Sequence, residues 1–282
     1  MKPLPLPALD ARTTYATCIS KTRPAKAKAR LKELEDQVAA AAADYEKAAA
    51  AAALHTLGHL ENQPDGDDEN ATSNKALTNC YTSRMARKGS AGRSLYNQLL
   101  QAAKDLCPLC GHGYANTLDH QLPKSSYPLL ATAPANLVPA CLTCNHAKGE
   151  NAPASAEEQT LHPYFDDITD HVWLAARLTE PPEPGVSFYV TPHPDWTRTL
   201  TARVQRHFAT FKLGKLYAAQ VGTELGALND YLRDKPYKAI VDELQHRAAS
   251  YGTRNSWQAA LYRALAASPW YVSSGYLNEW DT

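Results

Sequence analysis

The sequence lacks any apolar run approaching the ~18–20 residues that a transmembrane helix requires. Its first residues, MKPLPLPALDAR, also lack the continuous apolar stretch of a secretory signal peptide. These absences predict a protein without a membrane partner, and we expect it in the cytoplasm.

Net charge is absent as well, because 29 Lys and Arg residues balance 29 Asp and Glu residues. The overall electrostatic field therefore does not indicate a nucleic-acid partner. The positive residues nevertheless concentrate in the segments 21–30, 84–93 and 198–215, and acidic residues concentrate in 64–70. A neutral total can conceal a basic face, although each cluster alone is typical of a solvated helix surface.

Cysteine is scarce, and six in 282 residues do not suggest a disulfide framework. Four of them form two Cys-x-x-Cys pairs, Cys107/Cys110 and Cys141/Cys144. Two such pairs are a typical ligand set for a structural zinc ion, although a single pair is also typical of a redox site. The sequence predicts a structural Zn²⁺ on these four thiolates, with a long intervening segment that has room for other functional residues.

That segment contains Asp119-His120 and Asn136, and Asn145 directly follows the second cysteine pair. In this order, C-x-x-C, DH-x-x-P and NL-x-x-x-C-x-x-CN-x-x-K, the residues resemble the HNH, or ββα-metal, endonuclease family in its four-cysteine zinc subset. The resemblance covers about 107–150. It implies a small zinc-stapled ββα-metal (HNH) module inside a mainly α protein, α+β overall, which hydrolyses phosphodiester bonds of DNA with a metal ion.

The resemblance also assigns roles to four catalytic residues. A neutral His120 can take a proton from water at cytosolic pH. Asp119 points to the other side of an extended strand, and it offers, with Asn145, oxygen ligands suited to a catalytic Mg²⁺ or Mn²⁺. Asn136 matches the family residue that holds the loop and orients the base, and we expect it to bond backbone near His120.

Three further residues near the predicted site carry less specific signals. Lys124 and Lys148 are candidates for contacts to DNA phosphates, and the alternative is that they are ordinary surface lysines. His146 follows Asn145 and would point about 100° away from it on a helix. His146 is therefore a weaker candidate than Asn145 for a ligand of the catalytic metal ion.

Composition divides the chain into five predicted segments. They are an alanine-rich helical arm (1–62), an acidic linker (63–74), a helical lead-in (75–106), the zinc-bound nuclease module (107–152) and a mainly helical C-terminal region (153–282). Within them we predict one long helix over 25–57 and a break at 87–93. In the C-terminal region we predict helices at 165–178, 197–212, 214–233, 237–250 and 254–267, and a strand at 185–190.

Two classes of function fit these patterns. The first is an HNH endonuclease acting on DNA, with a homodimer or two events needed to cut both strands. A version of this hypothesis makes the nuclease the effector of an anti-phage defence system, dependent on a partner ATPase or another subunit. The alternative is a zinc-knuckle nucleic-acid-binding or scaffolding protein without catalysis.

Overall fold

The computed structural model describes residues 1–58, 69–180, 183–251 and 254–277. These residues form two compact units, Met1–Asp166 and Asp167–Thr282. The predicted boundary after residue 152 differs from this division, because residues 153–166 pack within the first unit. The fold is α+β, as predicted, with helices around two small antiparallel sheets. No helix of the described ranges is long and apolar enough to cross a membrane.

The first unit is built from helices followed by a two-stranded sheet and one short helix. Its elements are α1 (Ala11–Ile19), α2 (Ala25–Glu33), α3 (Glu35–Ala50), α4 (Glu69–Tyr81), a π-turn (Thr82–Ala86), α5 (Arg93–Gln101), β1 (Thr117–His120), β2 (Leu137–Ala140) and α6 (Leu142–Lys148). Short 3₁₀ turns lie at Leu54–Thr56, Pro128–Leu130 and Pro134–Asn136. The predicted break at 87–93 separates the π-turn from α5.

The prediction of one long helix over 25–57 is wrong, because the chain breaks at Leu34 and α3 ends at Ala50. Ala52 then adopts a left-handed conformation, with φ of 52°, which a helix cannot continue through. One face of α3 is buried, and Tyr45 on it packs in a core cluster with Leu122 and Tyr127. The alanine-rich segment thus supports the loop that follows β1.

The predicted acidic linker at 63–74 falls partly on residues 63–68, which lie outside the described residues. Its remaining residues, 69–74, are helical and begin α4. The proline, aspartate and glycine content of the segment predicted a linker, but α4 continues into a buried C-terminal half that includes Leu77 and Cys80.

The predicted ββα module is present. β1 pairs antiparallel with β2, with Asp119 opposite Val138 and His120 opposite Leu137. Both strands pack against α5, and α6 packs against β1. The two strands are nearly completely buried, so the residues at the end of β1 sit in a protected environment.

The second unit is mainly helical, as predicted, around one β-hairpin. Its elements are β3 (Leu174–Thr179), β4 (Gly185–Val190), α7 (Arg198–Thr210), α8 (Leu213–Ala218), α9 (Val221–Leu232), α10 (Tyr237–Ser250), α11 (Trp257–Ala266) and α12 (Pro269–Ser273), with a 3₁₀ turn at Gly275–Leu277. The predicted helix over 214–233 is divided into α8 and α9.

The prediction of a helix over 165–178 is wrong, because this segment ends in strand β3. The strand pairs in full register with β4, from Leu174 opposite Val190 to Thr179 opposite Gly185. The Asn255 side chain accepts hydrogen bonds from the backbone N–H groups of Trp173 and Leu174. Pairing with a distant segment therefore outweighs the local helical preference.

Candidate active site and metal centre

Four cysteine side chains converge in the first unit. The Sγ atoms of Cys107, Cys110, Cys141 and Cys144 all lie within 4.8 Å of one another, and all four residues are buried. The Cys110 and Cys141 sulfurs are 4.0 Å apart, close to the ~3.8 Å expected for two ligands on a tetrahedral zinc with Zn–S bonds near 2.3 Å. None of the six cysteines forms a disulfide.

The backbone around these thiols is shaped to hold them. Cys141 caps the start of α6, where its Sγ accepts a hydrogen bond of 3.4 Å from the Cys144 N–H. The Gly113 N–H donates to the Cys110 Sγ at 3.2 Å, and a Cβ at Gly113 would lie 2.8 Å from the Cys141 Sγ. N–H groups directed at sulfur stabilise thiolates, so the four cysteines can hold a metal such as zinc.

His120 ends strand β1 and is buried. Its Nε2 lies 2.9 Å from the Ala131 carbonyl oxygen, and a carbonyl can only accept, so Nε2 carries the proton and Nδ1 has the lone pair. The Tyr81 ring packs edge-on against the imidazole, with ring centroids 4.4 Å apart. Burial lowers the pKa of His120 to about 3, which keeps the ring neutral across physiological pH.

Asp119 precedes His120 on β1 and is also buried. Its Oδ2 lies 3.5 Å from Nζ of Lys148. Burial raises the pKa of Asp119 to about 6, and the positive charge of Lys148 opposes that rise. A second cation near this buried carboxylate would stabilise its charged form further.

Asn136 is fully buried and fixes the loop between the strands. Its Oδ1 accepts from the Leu122 N–H at 2.8 Å, and its Nδ2 donates to the carbonyl oxygens of Leu122 at 3.0 Å and Leu130 at 3.2 Å. The Leu130 contact adjoins Ala131, whose carbonyl orients the His120 ring. Asn136 thus bonds backbone near His120, as expected.

Helix α6 presents Asn145 and Lys148 on one face, since residues three apart share a side of a helix. Lys148 reaches Asp119 from this face, so the half-buried Asn145 lies on the side of α6 that faces β1. Its side chain makes no hydrogen bond to another described residue, which leaves its amide oxygen available as a ligand. His146 is exposed on another side of the helix.

The two lysines differ in their surroundings. Lys124 is half-buried, and its charge acts on both Asp119 and His120, lowering the pKa of each. Lys148 is buried, and its ammonium group donates to the His120 carbonyl oxygen. Lys148 is therefore an internal group in this structure, whereas Lys124 has access to solvent at the edge of the site.

Residues 107–151 match the family model described as HNH endonuclease. These residues are an HNH endonuclease domain. The family is one of endonucleases, which are hydrolases. In this chain the domain contains the four-cysteine cluster and the pair Asp119 and His120.

The comparison with curated proteins extends well beyond the HNH domain. The chain is 27% identical over 212 residues to Protein ea31 of Escherichia phage lambda, which covers 68% of this chain and 72% of that protein. No solved structure matches the chain.

Residues on both sides of the HNH domain complete its interior. The Tyr45 hydroxyl lies 2.8 Å from Nε2 of His162, and the Tyr164 hydroxyl donates to the Leu137 carbonyl oxygen at 2.9 Å. The Gln121 side chain donates to the Thr160 hydroxyl at 3.2 Å. These contacts join α3, the segment 159–166 and the two strands into one packed site.

Sequence reasoning missed this inner layer. His162 has no neighbour at metal-ligand spacing in the sequence, so the sequence alone does not single it out. Tyr81 carried no signal at all, because a single tyrosine in a helical lead-in is ordinary. Only the tertiary packing shows that its hydroxyl donates to the Leu118 carbonyl oxygen while its ring covers His120.

A second convergence of ligating side chains lies in the second unit. His171, His193 and Asp195 place possible ligand atoms within 4.8 Å of one another. The two imidazole rings stack with centroids 3.7 Å apart, and the Asp195 carboxylate is 3.5 Å from Nδ1 of His193. This group was not predicted from the sequence.

Proposed function

We propose that this protein is a metal-dependent endonuclease that hydrolyses phosphodiester bonds of DNA. The observation that carries the proposal is the position of His120 within the HNH domain. Its Nε2–H is engaged by the Ala131 carbonyl, so its Nδ1 lone pair is available to accept a proton. Asp119, the neighbouring residue on the strand, offers a carboxylate on the other side.

In the proposed reaction, Nδ1 of His120 takes a proton from the water that attacks the phosphorus atom. The Ala131 carbonyl holds the ring in one tautomer and orientation, and the positive charge that develops on the ring stays close to that acceptor. A pKa near 3 makes a weak base in the free protein. The negative charge of a bound phosphate raises the His120 pKa and strengthens the base where it is needed.

Asp119 and Asn145 are the residues that would hold a catalytic Mg²⁺ or Mn²⁺. Their fit rests on their donor atoms, a buried carboxylate and an unengaged amide oxygen, which hard divalent cations prefer. When bound, such an ion supplies charge stabilisation to the transition state and to the departing oxygen. Lys124 would contribute positive potential at the edge of the same site.

The four cysteines would hold a structural Zn²⁺ that takes no part in the reaction. A four-thiolate site is closed and leaves no position for water. It would fasten the turn after α5 to the start of α6, and α6 carries Asn145. The role of the zinc is therefore to fix the geometry of the ligands around β1.

The test is Mg²⁺-dependent nicking of a supercoiled plasmid by the wild type, His120→Ala and His146→Ala. His120→Ala should lose at least ~100-fold in rate, the lower range for a general base, with unchanged zinc content and circular dichroism. His146→Ala removes an exposed histidine of the same domain and should cut normally. Cleavage by His120→Ala at the wild-type rate would show that His120 is not the base.

The alternative is a DNA-binding or scaffolding protein without catalysis. It predicts plasmid binding by the wild type and no cleavage with Mg²⁺ or Mn²⁺ at any concentration. The effector role in anti-phage defence, a partner ATPase and a homodimer stay predictions. Cleavage that requires a second gene product would support the effector role.

A further inference from the structure

A cleft of about 380 Å³ lies in the first unit, outside the HNH domain. It is formed where the end of α1 meets the π-turn and the loop that follows it. Its polar lining consists mainly of five cationic side chains, Lys21, Arg23, Arg84, Arg87 and Lys88.

The cleft brings together two basic clusters that are far apart in the sequence. Lys21 and Arg23 follow α1, whereas Arg84, Arg87 and Lys88 follow α4. Either cluster alone is typical of a solvated surface. Five like charges around one concavity repel one another, and an anion in the cleft relieves that repulsion.

Among the residues that the structure describes, no acidic side chain lines the cleft. Among the described residues, none of its five cationic groups forms an ion pair with an aspartate or a glutamate. Arg84 is half-buried and its guanidinium is 3.8 Å from the Cys80 sulfur, and the other four cationic residues are exposed. The described residues of the first unit thus leave this positive charge unneutralised.

The walls of the cleft are held tightly together. A Cβ at Gly92 would lie 2.7 Å from the Cys18 sulfur and 2.9 Å from the Arg84 carbonyl oxygen, so α1 and the π-turn approach each other closely at this glycine. The Gly92 N–H donates to that carbonyl oxygen at 2.9 Å, and the Arg93 guanidinium donates to the Ala86 carbonyl oxygen. The arrangement of the charges is therefore part of the packed structure.

The cleft is also physically connected to the catalytic strand. The π-turn continues from Tyr81, and the Tyr81 ring packs against His120. Arg84 follows Tyr81 by three residues, which is on the order of 5 Å along a helical segment. One continuous helical segment therefore carries both the ring that contacts His120 and the Arg84 side chain that lines the cleft.

We infer that the cleft lined by Lys21, Arg23, Arg84, Arg87 and Lys88 binds the phosphate backbone of DNA beside the strand segment that enters the active site. This inference rests on the proposed function for the identity of the polyanion. Phosphate contacts of this kind position a duplex without reading its sequence. The cleft would supply the affinity that a chain of zero net charge otherwise lacks.

The test measures binding of a labelled 30-base-pair duplex to the full chain by fluorescence anisotropy, without added Mg²⁺, over a range of salt concentrations. Two double variants, Lys21→Gln/Arg23→Gln and Arg87→Gln/Lys88→Gln, remove the charges of one cluster each. Each should make the negative slope of log K against log salt shallower by ~1.8, or 0.9 per lost phosphate contact. The loss should be equal for two unrelated DNA sequences.

The matched control is Lys32→Gln/Lys47→Gln, which removes two exposed charges of the same unit outside the cleft and should leave the slope unchanged. Equal slopes for the wild type and both cleft variants would overturn the inference, and so would equal losses in the control. Because binding is measured without cleavage, this result is separate from the His120→Ala test. A wild type that binds through the cleft but never cuts would contradict the proposed function alone.

Discussion

The ammonium group of Lys148 donates a hydrogen bond of 2.6 Å to the backbone carbonyl oxygen of His120. The same group lies 3.5 Å from the Asp119 carboxylate, and both side chains are less than a tenth exposed. One lysine on α6 therefore ties together the two adjacent residues of β1 on which the proposed chemistry depends. Its position favours an internal, positioning role over the predicted phosphate contact.

Lys148→Met should shift the acid limb of DNA cleavage to higher pH. Without the ammonium group, the buried Asp119 carboxylate loses the cation that opposes the rise in its pKa. Asp119 is then protonated at higher pH and holds a metal less well. Rates measured from pH 5 to 9 check this, with Lys148→Arg as the charge-preserving control. A uniform loss at every pH would instead indicate a phosphate contact.

Cleavage by the wild type should fall as the pH drops below about 6, and added Mg²⁺ should restore it. Asp119 has a pKa near 6, so protons compete with the metal for its carboxylate below that pH. His120, with its pKa lowered to about 3 in the free protein, is neutral over this pH range before DNA binds. Initial rates at pH 5.5 and 7.5 over a range of Mg²⁺ concentrations measure the effect. If no Mg²⁺ concentration restores the cleavage rate at pH 5.5, a group other than Asp119 causes the decrease in rate at acidic pH.

Gly113→Ala should lower the zinc content as effectively as Cys110→Ser. The added Cβ would lie 2.8 Å from the Cys141 sulfur, so either the turn or the thiol must move. We expect about one zinc per wild-type chain by elemental analysis, and a lower melting temperature for both variants. Cys80→Ala, a buried thiol outside the cluster, and His193→Ala, in the other convergence, should both keep the zinc.

Asn136→Ala should expose the backbone amide of Leu122 to hydrogen exchange. The substitution removes three hydrogen bonds to buried backbone groups, each costing about 1–3 kcal/mol when left unsatisfied. Local opening of the loop should therefore become easier by at least about 3 kcal/mol. Asn116→Ala, an exposed asparagine of the same domain, is the control. Unchanged protection at Leu122 would show that the loop does not depend on Asn136.

A chain that ends at Asp166 should fold and retain zinc, whereas one that ends at residue 152 should not. The segment 159–166 contributes His162 and Tyr164 to the interior of the first unit. Its removal leaves the Tyr45 hydroxyl and the Leu137 carbonyl buried without these partners. Zinc content and circular dichroism of the two truncated chains measure the outcome. Equal folding of both would place the boundary at 152.

The local part of the site was predictable from the sequence. The cysteine spacing predicted the zinc ligand set, and the resemblance of residues 107–150 to the HNH family implied the ββα arrangement. Each Cys-x-x-Cys pair and the Asp119-His120 pair consist of residues close in sequence, where spacing and backbone preference determine local geometry.

The surroundings of the site were not predictable in the same way. Tyr81 reaches His120 across 39 positions of the sequence and Tyr45 reaches His162 across 117, and no periodicity marks such contacts. The strand at Leu174–Thr179 likewise depends on pairing with β4. The shared orientation of Lys148 and Asn145 follows from the sequence once the helix is recognised, since residues three apart lie on one side of a helix.

The edge-on contact between Tyr81 and His120 joins a residue of the HNH motif to a residue of the surrounding protein. The motif supplies the His120 imidazole, but the Tyr81 ring that packs edge-on against it lies outside residues 107–151. A copy of the motif placed in another protein would therefore carry His120 without this aromatic contact, and the pKa of the imidazole should differ there. Among chains that share these motif residues, acidity profiles should vary with whatever side chain occupies the place of Tyr81.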